Sequence, residues 1–419
     1  MFRHHSVIHT LTAVVLVCCA SGRVGRTDGF RNPPEGAAAF GRGGSRLTET
    51  GDPSAVTHNP ANLVDLPRAA VMPTVNIGYA EKTYEAPTGA SEEMEVWSVM
   101  PALYASFPAS DGTFAFGFGL STPYGQSNEW GERGIFTGIQ PYYSNLQSIN
   151  ASPVLAVRLC ETLSFGAGVD VIWSELELRQ TNPWSGMPGD TLGPATRIKL
   201  KGDGMGVGAH AGLTWRMSPR QRVAVVYKSP ISVDLEGEFE ADNLPPGLPP
   251  IVTPESYFTS DLEFPQMVAL GYGLQLTDSL RVEANVEWLE HSAYSEAELD
   301  VGNNNVLLQG TENLEPVVVE QNWNDEWTVS LGADWEVSDA WVLRGGWIYL
   351  PSPVPDETLG STTVEGDSNI LTVGFGFRGG SQRLDAALAV GLNDDRTDAF
   401  GGEYKIDSGI ASIAYGYSF

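Results

Sequence analysis

From about residue 71 to its last residue the chain is written in two-faced runs, and the links between those runs alternate between short and long. "TFAFGFGL" sets Phe114, Phe116, Phe118 and Leu120 on one side, with Ala115, Gly117 and Gly119 on the other. "RVEANVEW" opposes Val282, Ala284, Val286 and Trp288 to Arg281, Glu283, Asn285 and Glu287, and "EWTVSLGADW" repeats the pattern from Glu326 to Trp335. A period of two is the signature of strands with one apolar face. Such runs fall at 71–84, 95–107, 112–121, 143–158, 162–178, 196–216, 221–239, 257–275, 280–297, 318–336, 340–350, 367–378, 382–391 and 403–419, which makes fourteen.

Tight links at 108–112, 159–163, 217–221, 276–280, 337–341 and 378–383 are interleaved with long ones at 85–94, 122–142, 179–195, 240–256, 298–317, 351–366 and 392–402. A soluble β-sandwich has no reason to sort its links by length, whereas an outer-membrane barrel needs short periplasmic turns and longer external loops. The expected fold is all-β: a 14-stranded antiparallel transmembrane β-barrel, with both ends of the barrel sequence on the periplasmic side. The last ten residues, "IASIAYGYSF", fit this reading. Gly409, Ala411, Ile413, Tyr415, Tyr417 and Phe419 share a face, and the strand runs to the carboxyl end because it must pair with the first to leave no open edge in lipid.

Ahead of the barrel, residues 1–20 read as a signal peptide, with Arg3 before the apolar stretch Leu11–Ala20 and small residues just after it. Export then leaves Cys160 without an intrachain partner, so no disulfide framework holds the mature chain. Past the signal, no run of eighteen apolar residues remains to form a membrane helix. A net charge of −28 argues against nucleic acid as a partner, and 42% hydrophobic residues argue against a disordered acidic chain. No Gly-x-Ser-x-Gly occurs, and His58, His210 and His291 are scattered, so neither a hydrolase, a metal site nor a cofactor is expected. His210, among glycines, reads as a filler facing the lumen.

Residues 21–70 form a second unit, of which 29–70 do not alternate and are rich in Gly, Pro and Ala. A fourteen-stranded barrel is too wide for side chains alone to fill. A compact N-terminal hatch plugging the lumen of the 71–419 barrel accounts for both facts.

Within it, "AAAFGRGGSRLTETGDPSAVTHNPANLVDL" resembles the hatch of the long-chain fatty acid and hydrocarbon outer-membrane transporter family (FadL/TodX type), through Gly41–Gly44, Asp52–Ser54 and Asn59-Pro60-Ala61. Three barrel stretches resemble the same family in order: Val225–Glu240, Phe264–Trp288 and Trp341–Glu357. The resemblance implies passive carriage of hydrophobic molecules across the bacterial outer membrane. Long-chain fatty acids come first, with aromatic or alkane hydrocarbons as the alternative. It also implies capture in an apolar groove among external loops, for which 182–189, 247–258 and 303–319 are suited, then a tighter pocket and sideways release when the hatch shifts.

Lys228 and Arg344 sit at motif positions, face inward by alternation, and are candidates to hold a carboxylate. Pro60 restricts Asn59 to extended geometry, so that Asn59-Pro60-Ala61 would fix a polar turn against the inner wall. Expected partners are lipid and lipopolysaccharide around a monomer, and the barrel-insertion machinery, to which a closing strand ending at Phe419 would be offered. Deleting 29–66 is expected to leave the barrel folded but leaky to small polar solutes, read as faster swelling of reconstituted vesicles; unchanged permeability would show that the segment plugs nothing.

Overall fold

The computed structural model describes residues 29–183, 195–244, 250–309 and 314–419. The expected signal peptide and most of the 182–189 loop lie outside the described residues. The strands are β1 (Ala70–Glu85), β2 (Ser91–Pro108), β3 (Phe114–Ser121, resuming at Gly125–Glu129), β4 (Tyr143–Cys160), β5 (Leu163–Asn182), β6 (Thr196–Ser218) and β7 (Gln221–Lys228, resuming at Ile231–Asp242). They continue as β8 (Glu255–Phe264 and Met267–Gln275), β9 (Leu280–Leu289 and Glu296–Asp300), β10 (Val317–Glu320 and Glu326–Glu336), β11 (Trp341–Leu350), β12 (Ser368–Gly379), β13 (Gln382–Asn393) and β14 (Glu403–Ser418). Together they form a closed antiparallel barrel of fourteen strands, as the alternation predicts.

Closure is made by β1 against β14, in register from Ala70↔Ser418 to Glu85↔Glu403. Even the last residue takes part, since the Phe419 amide donates to the Ala69 carbonyl at 2.9 Å. Outward faces carry Val207, Val373 and Leu388 at 60–67% exposure. Apolar side chains bared to that degree all round a sheet suit hydrocarbon rather than water. Aromatic rings collect at both rims of this band, with Tyr79 and Trp97 at 4.9 Å near one end and Trp341 and Phe377 at 5.0 Å near the other.

Five strands are broken where the sequence reads as continuous strand or as loop. β3 resumes beyond Pro123 inside the span read as a loop, and β7 and β8 break at Ser229-Pro230 and Pro265-Gln266. Proline lacks the ladder donor, so each break falls where a strand cannot go on pairing. The break also shifts the inward set. In β7, Ala224 and Val226 are buried before it and Ile231, Val233 and Leu235 after it, so inward positions pass from even to odd. In β9 and β10 the breaks at 290–295 and 321–325 carry His291, Tyr294 and Trp323 into buried positions.

Residues 29–69 pack against the inward faces of the strands. Two short helices, α1 (Ala37–Phe40) and α2 (Ala55–His58), and a 3-10 turn at Pro60–Asp65 are almost wholly buried. Phe40 meets Ile348, Ile370 and Ala389 of β11–β13. Val56 and Leu63 meet Tyr104, Ala115 and Val154 of β2–β4, and Leu47 meets Val226, Met267 and Leu289 of β7–β9. One segment thus touches the wall on several sides. Close approach needs bare backbone: a Cβ on Gly346 would lie 2.2 Å from the Arg42 carbonyl carbon, and one on Gly212 would lie 2.0 Å from Asn59 Oδ1.

Replacing Gly346 with Val is therefore expected to displace the segment at a cost on the order of 1–3 kcal/mol, seen as faster proteolysis within 29–66 while the barrel keeps its heat-modifiable mobility on gels. Equal proteolysis in variant and wild type would contradict this packing.

Candidate functional site

An apolar cavity of about 220 Å³ lies among the outer strand ends and loops. Leu146, Leu176 and Leu178 line it from β4 and β5, Ile198 and Leu200 from β6, and Leu262, Leu299 and Val319 from β8–β10. Of the loop stretches expected to build a groove, 303–319 supplies Leu308, Val317 and Val319. The 247–258 stretch supplies Val252 and Phe258, which pack with Val301 and Leu307 in a cluster that shares Ile198 and Leu200.

Phe30 borders this cavity and anchors the N-terminal segment. Its ring lies 5.1 Å from Tyr294, 4.7 Å from Trp323 and 6.4 Å from Phe264, and Tyr124 stacks on Phe264 at 4.1 Å. Backbone bonds tie the same stretch to the break in β3. Gly125 donates to the Phe30 carbonyl at 2.8 Å and Asn32 donates to the Pro123 carbonyl at 2.8 Å. Three residues of the N-terminal segment thus pair where β3 is interrupted. Above Leu103↔Leu120, β2 and β3 no longer pair with each other.

Two smaller spaces are bordered by Arg31–Pro34. One, of about 50 Å³, is walled by Phe40, Ile348, Leu350, Ile370 and Ile410. The other, of about 70 Å³, is polar and holds Lys228, Arg46, His58, Asp170 and His210 beside Tyr124, Met267 and Leu289. Lys228 projects inward as expected, and among the described residues no side-chain hydrogen bond or ion pair engages its ammonium. Around it the charges are matched: Arg31 pairs with Glu287 at 2.8 Å. Arg46 Nε donates to His58 Nδ1 at 2.6 Å while His58 Nε2 donates to the Glu35 carbonyl at 2.7 Å. Burial, with the Arg46 guanidinium beside it, holds the His58 ring well below its ordinary pKa.

His210 does more than fill space. Nδ1 faces Asp170 Oδ2 at 2.6 Å and Nε2 faces the Val56 carbonyl at 2.9 Å. The Val56 carbonyl can only accept, so Nε2 donates to it, and this bond joins the wall to the N-terminal segment. The role was unread in the sequence, although Asp170 and His210 both fall on inward positions of adjacent strands.

Arg344 is placed apart from Lys228, beside a separate polar cavity with Arg42, Glu49 and Arg281. Its Nε donates to Asp334 at 3.0 Å and its Nη1 lies 2.8 Å from Asp385, with Arg42 on the other oxygen of Asp334 at 2.8 Å. Asn59 is extended at φ −157°, accepts from the Ala61 amide at 3.1 Å, and donates to the Leu47 carbonyl and Thr214 hydroxyl at 2.7 and 2.8 Å. Among the described residues, Glu81, Glu93 and Glu95 stand close enough to share a cation, but on a largely exposed outer face where acidic groups are ordinary.

A family model described as outer membrane protein transport protein (OMPP1/FadL/TodX) matches residues 31–413. The long-chain fatty acid transport protein of Escherichia coli O6:H1 is 22% identical over 402 residues, covering 87% of this chain and 85% of that protein. A Pseudomonas aeruginosa FadL homologue superposes with a TM-score of 0.79 at 20% identity, over 93% of this chain and all of its own. The toluene transporter TodX of P. putida superposes at 0.74 with 20% identity, over 92% of this chain and 99% of its own. At these identities the superpositions show a shared fold.

Replacing His210 with Ala removes a wall contact of the N-terminal segment and takes from Asp170 the partner of one carboxylate oxygen, leaving Asn150 and Ser152 on the other, at about 1–3 kcal/mol. Hydrogen exchange at 54–62 is expected to quicken while that of β12–β14 does not; unchanged exchange at 54–62 would show that the Val56 bond carries no weight.

Proposed function

The chain belongs to the OMPP1/FadL/TodX family of outer membrane transport proteins, and from that premise we propose that it passes single hydrophobic molecules inward by diffusion, long-chain fatty acids foremost. The protein is an outer membrane barrel. A water-filled pore offers an oily molecule nothing to bind, whereas a chain of apolar spaces lowers its free energy at each stage. The observation that carries the reading is the placement of Phe30. It borders the external cavity, and its own carbonyl helps to close the break in β3. A ligand pressing into the cavity competes for the ring's place, and withdrawal of Phe30–Asn32 reopens the break beside the parted β2 and β3. The N-terminal segment acts as the hatch, and release is sideways through that wall.

In this reading the fatty acid carboxylate is met by Lys228, and Arg344, paired with Asp334 and Asp385, helps to keep the hatch seated through Asp334, which also pairs with Arg42. Asn59-Pro60-Ala61 serves as the fixed hinge of the hatch, bonded to Leu47 and Thr214. Aromatic hydrocarbons are the second reading, favoured by the rings of Phe30, Tyr294 and Trp323 around the floor of the cavity. The protein works as a monomer surrounded by lipid and lipopolysaccharide, with the closing strand to Phe419 offered to the insertion machinery.

Lys228→Met is expected to weaken binding of a fatty acid anion about tenfold, equivalent to ~1.4 kcal/mol, and to leave a neutral hydrocarbon of equal length unaffected. Titration calorimetry in mild detergent reads both. Equal affinity for the anion before and after would remove Lys228 from the site.

A further inference from the structure

A second parting of the wall lies between β8 and β9. These strands pair from Gln275↔Arg281 to Met267↔Leu289, and then not again until Ser260↔Leu299 and Thr259↔Asp300. Between those rungs β8 runs through 261–266 and β9 through 290–298. On its other edge β8 stays fully paired with β7 from Glu255 to Phe264, while β9 also parts from β10 between Leu289↔Glu326 and Glu296↔Glu320. Among the described residues what spans it is sparse: the Glu290 amide donates to the Gln266 carbonyl at 3.1 Å, Gln266 Nε2 donates to Glu290 at 2.6 Å, and the Glu298 amide donates to Asp261 Oδ1 at 3.4 Å. A seam so poor in backbone bonds is untenable deep in hydrocarbon.

Its height resolves the difficulty. The last paired stretch below it carries Trp288 opposite Val268 and Trp327, and Trp327 is exposed outward. Tryptophan belts sit at the level where acyl chains give way to headgroups. The seam therefore begins at the outer-leaflet interface. Behind it lies the external cavity, whose lining comes from both lips, Asp261 and Leu262 on β8 and Tyr294 and Ala297 on β9, and from the rung Ser260↔Leu299 above them. Apolar space thus runs up to the gap and meets the lipid-facing band there.

We propose that this seam is a side entrance by which an uncharged apolar molecule dissolved in the outer leaflet reaches the external cavity without crossing water. Charge selects the occupant. Asp261 stands directly across the ladder from Asp234, and Glu263 and Glu298 flank it, Glu298 being exposed. Such a lip repels lipid phosphates and free carboxylates and leaves a neutral chain or ring unopposed. The proposal rests on the transport reading and adds a second route to the same cavity.

The test uses the full chain with Cys160 replaced by Ser, carrying Asp261→Cys and Glu298→Cys, in lipopolysaccharide-containing vesicles. Loading of pyrene is followed from two sources, lipid and water, before and after the two thiols are bridged by a short bifunctional reagent. Bridging is expected to slow loading from lipid at least tenfold and to leave loading from water within twofold. Equal loading from lipid with the seam bridged or open overturns the entrance. Failure of the unbridged protein to load pyrene from either source overturns the transport reading and the entrance with it. A separate measurement does not depend on the double variant: a nitroxide on Ala297→Cys is expected to be reached by membrane-dissolved oxygen, unlike one on Val226→Cys behind a closed ladder. Equal shielding at both positions overturns the entrance as well.

Discussion

Everything here depends on the need to pair backbone N–H and C=O groups in a medium that cannot pair them. In hydrocarbon each group left open costs several kcal/mol, so the sheet must close, and β1 and β14 close it over almost their full length. The same rule gives meaning to the places where pairing fails. An interruption in such a wall has to be filled by another part of the chain or lifted to where water or ligand can meet it. The break in β3 is filled by Phe30–Asn32. The parting of β8 and β9 is lifted to the interface above Trp288 and Trp327.

Closure alone would give a wide open tube. The N-terminal segment turns it into a set of separate small spaces, and it does so with two kinds of contact. Apolar residues such as Phe40, Val56 and Leu47 meet the wall on three sides, while ion pairs fix position. Asp65 takes Arg158 at 2.9 Å and Arg222 at 3.3 Å, with Arg216 bound as well, and Asp52 takes Arg383 at 3.1 Å. Partly buried pairs of this kind add little net stability, but they define one orientation. The stretch around Phe30 is held by ring contacts, by two backbone bonds and by the Arg31–Glu287 pair at 2.8 Å.

Much of this was legible in the sequence, and the failures have physical causes. Faces were readable wherever the period of two ran unbroken, as from Glu326 to Trp335, and the short links fixed which strands are neighbours. The pairing of Asp334 with Arg344 across the 337–341 turn was within reach of the same counting, and it decides that Arg344 is engaged. Breaks at Pro230 and Pro265 were harder, because a residue that fits the alternation hides the donor it lacks. Lys228 faces inward by simple alternation because it lies before its break. The part played by Phe30 had no local signal at all, because its meaning comes from strands more than ninety residues away that bend inward to meet it.

The most direct measurement is the entry of solutes into lipopolysaccharide-containing vesicles with and without the full chain in the bilayer. A long-chain fatty acid or a neutral hydrocarbon is expected to enter several times faster with the protein present, while a small sugar enters no faster. Acceleration of the sugar, or none for either oily solute, would contradict a plugged barrel that conducts apolar molecules.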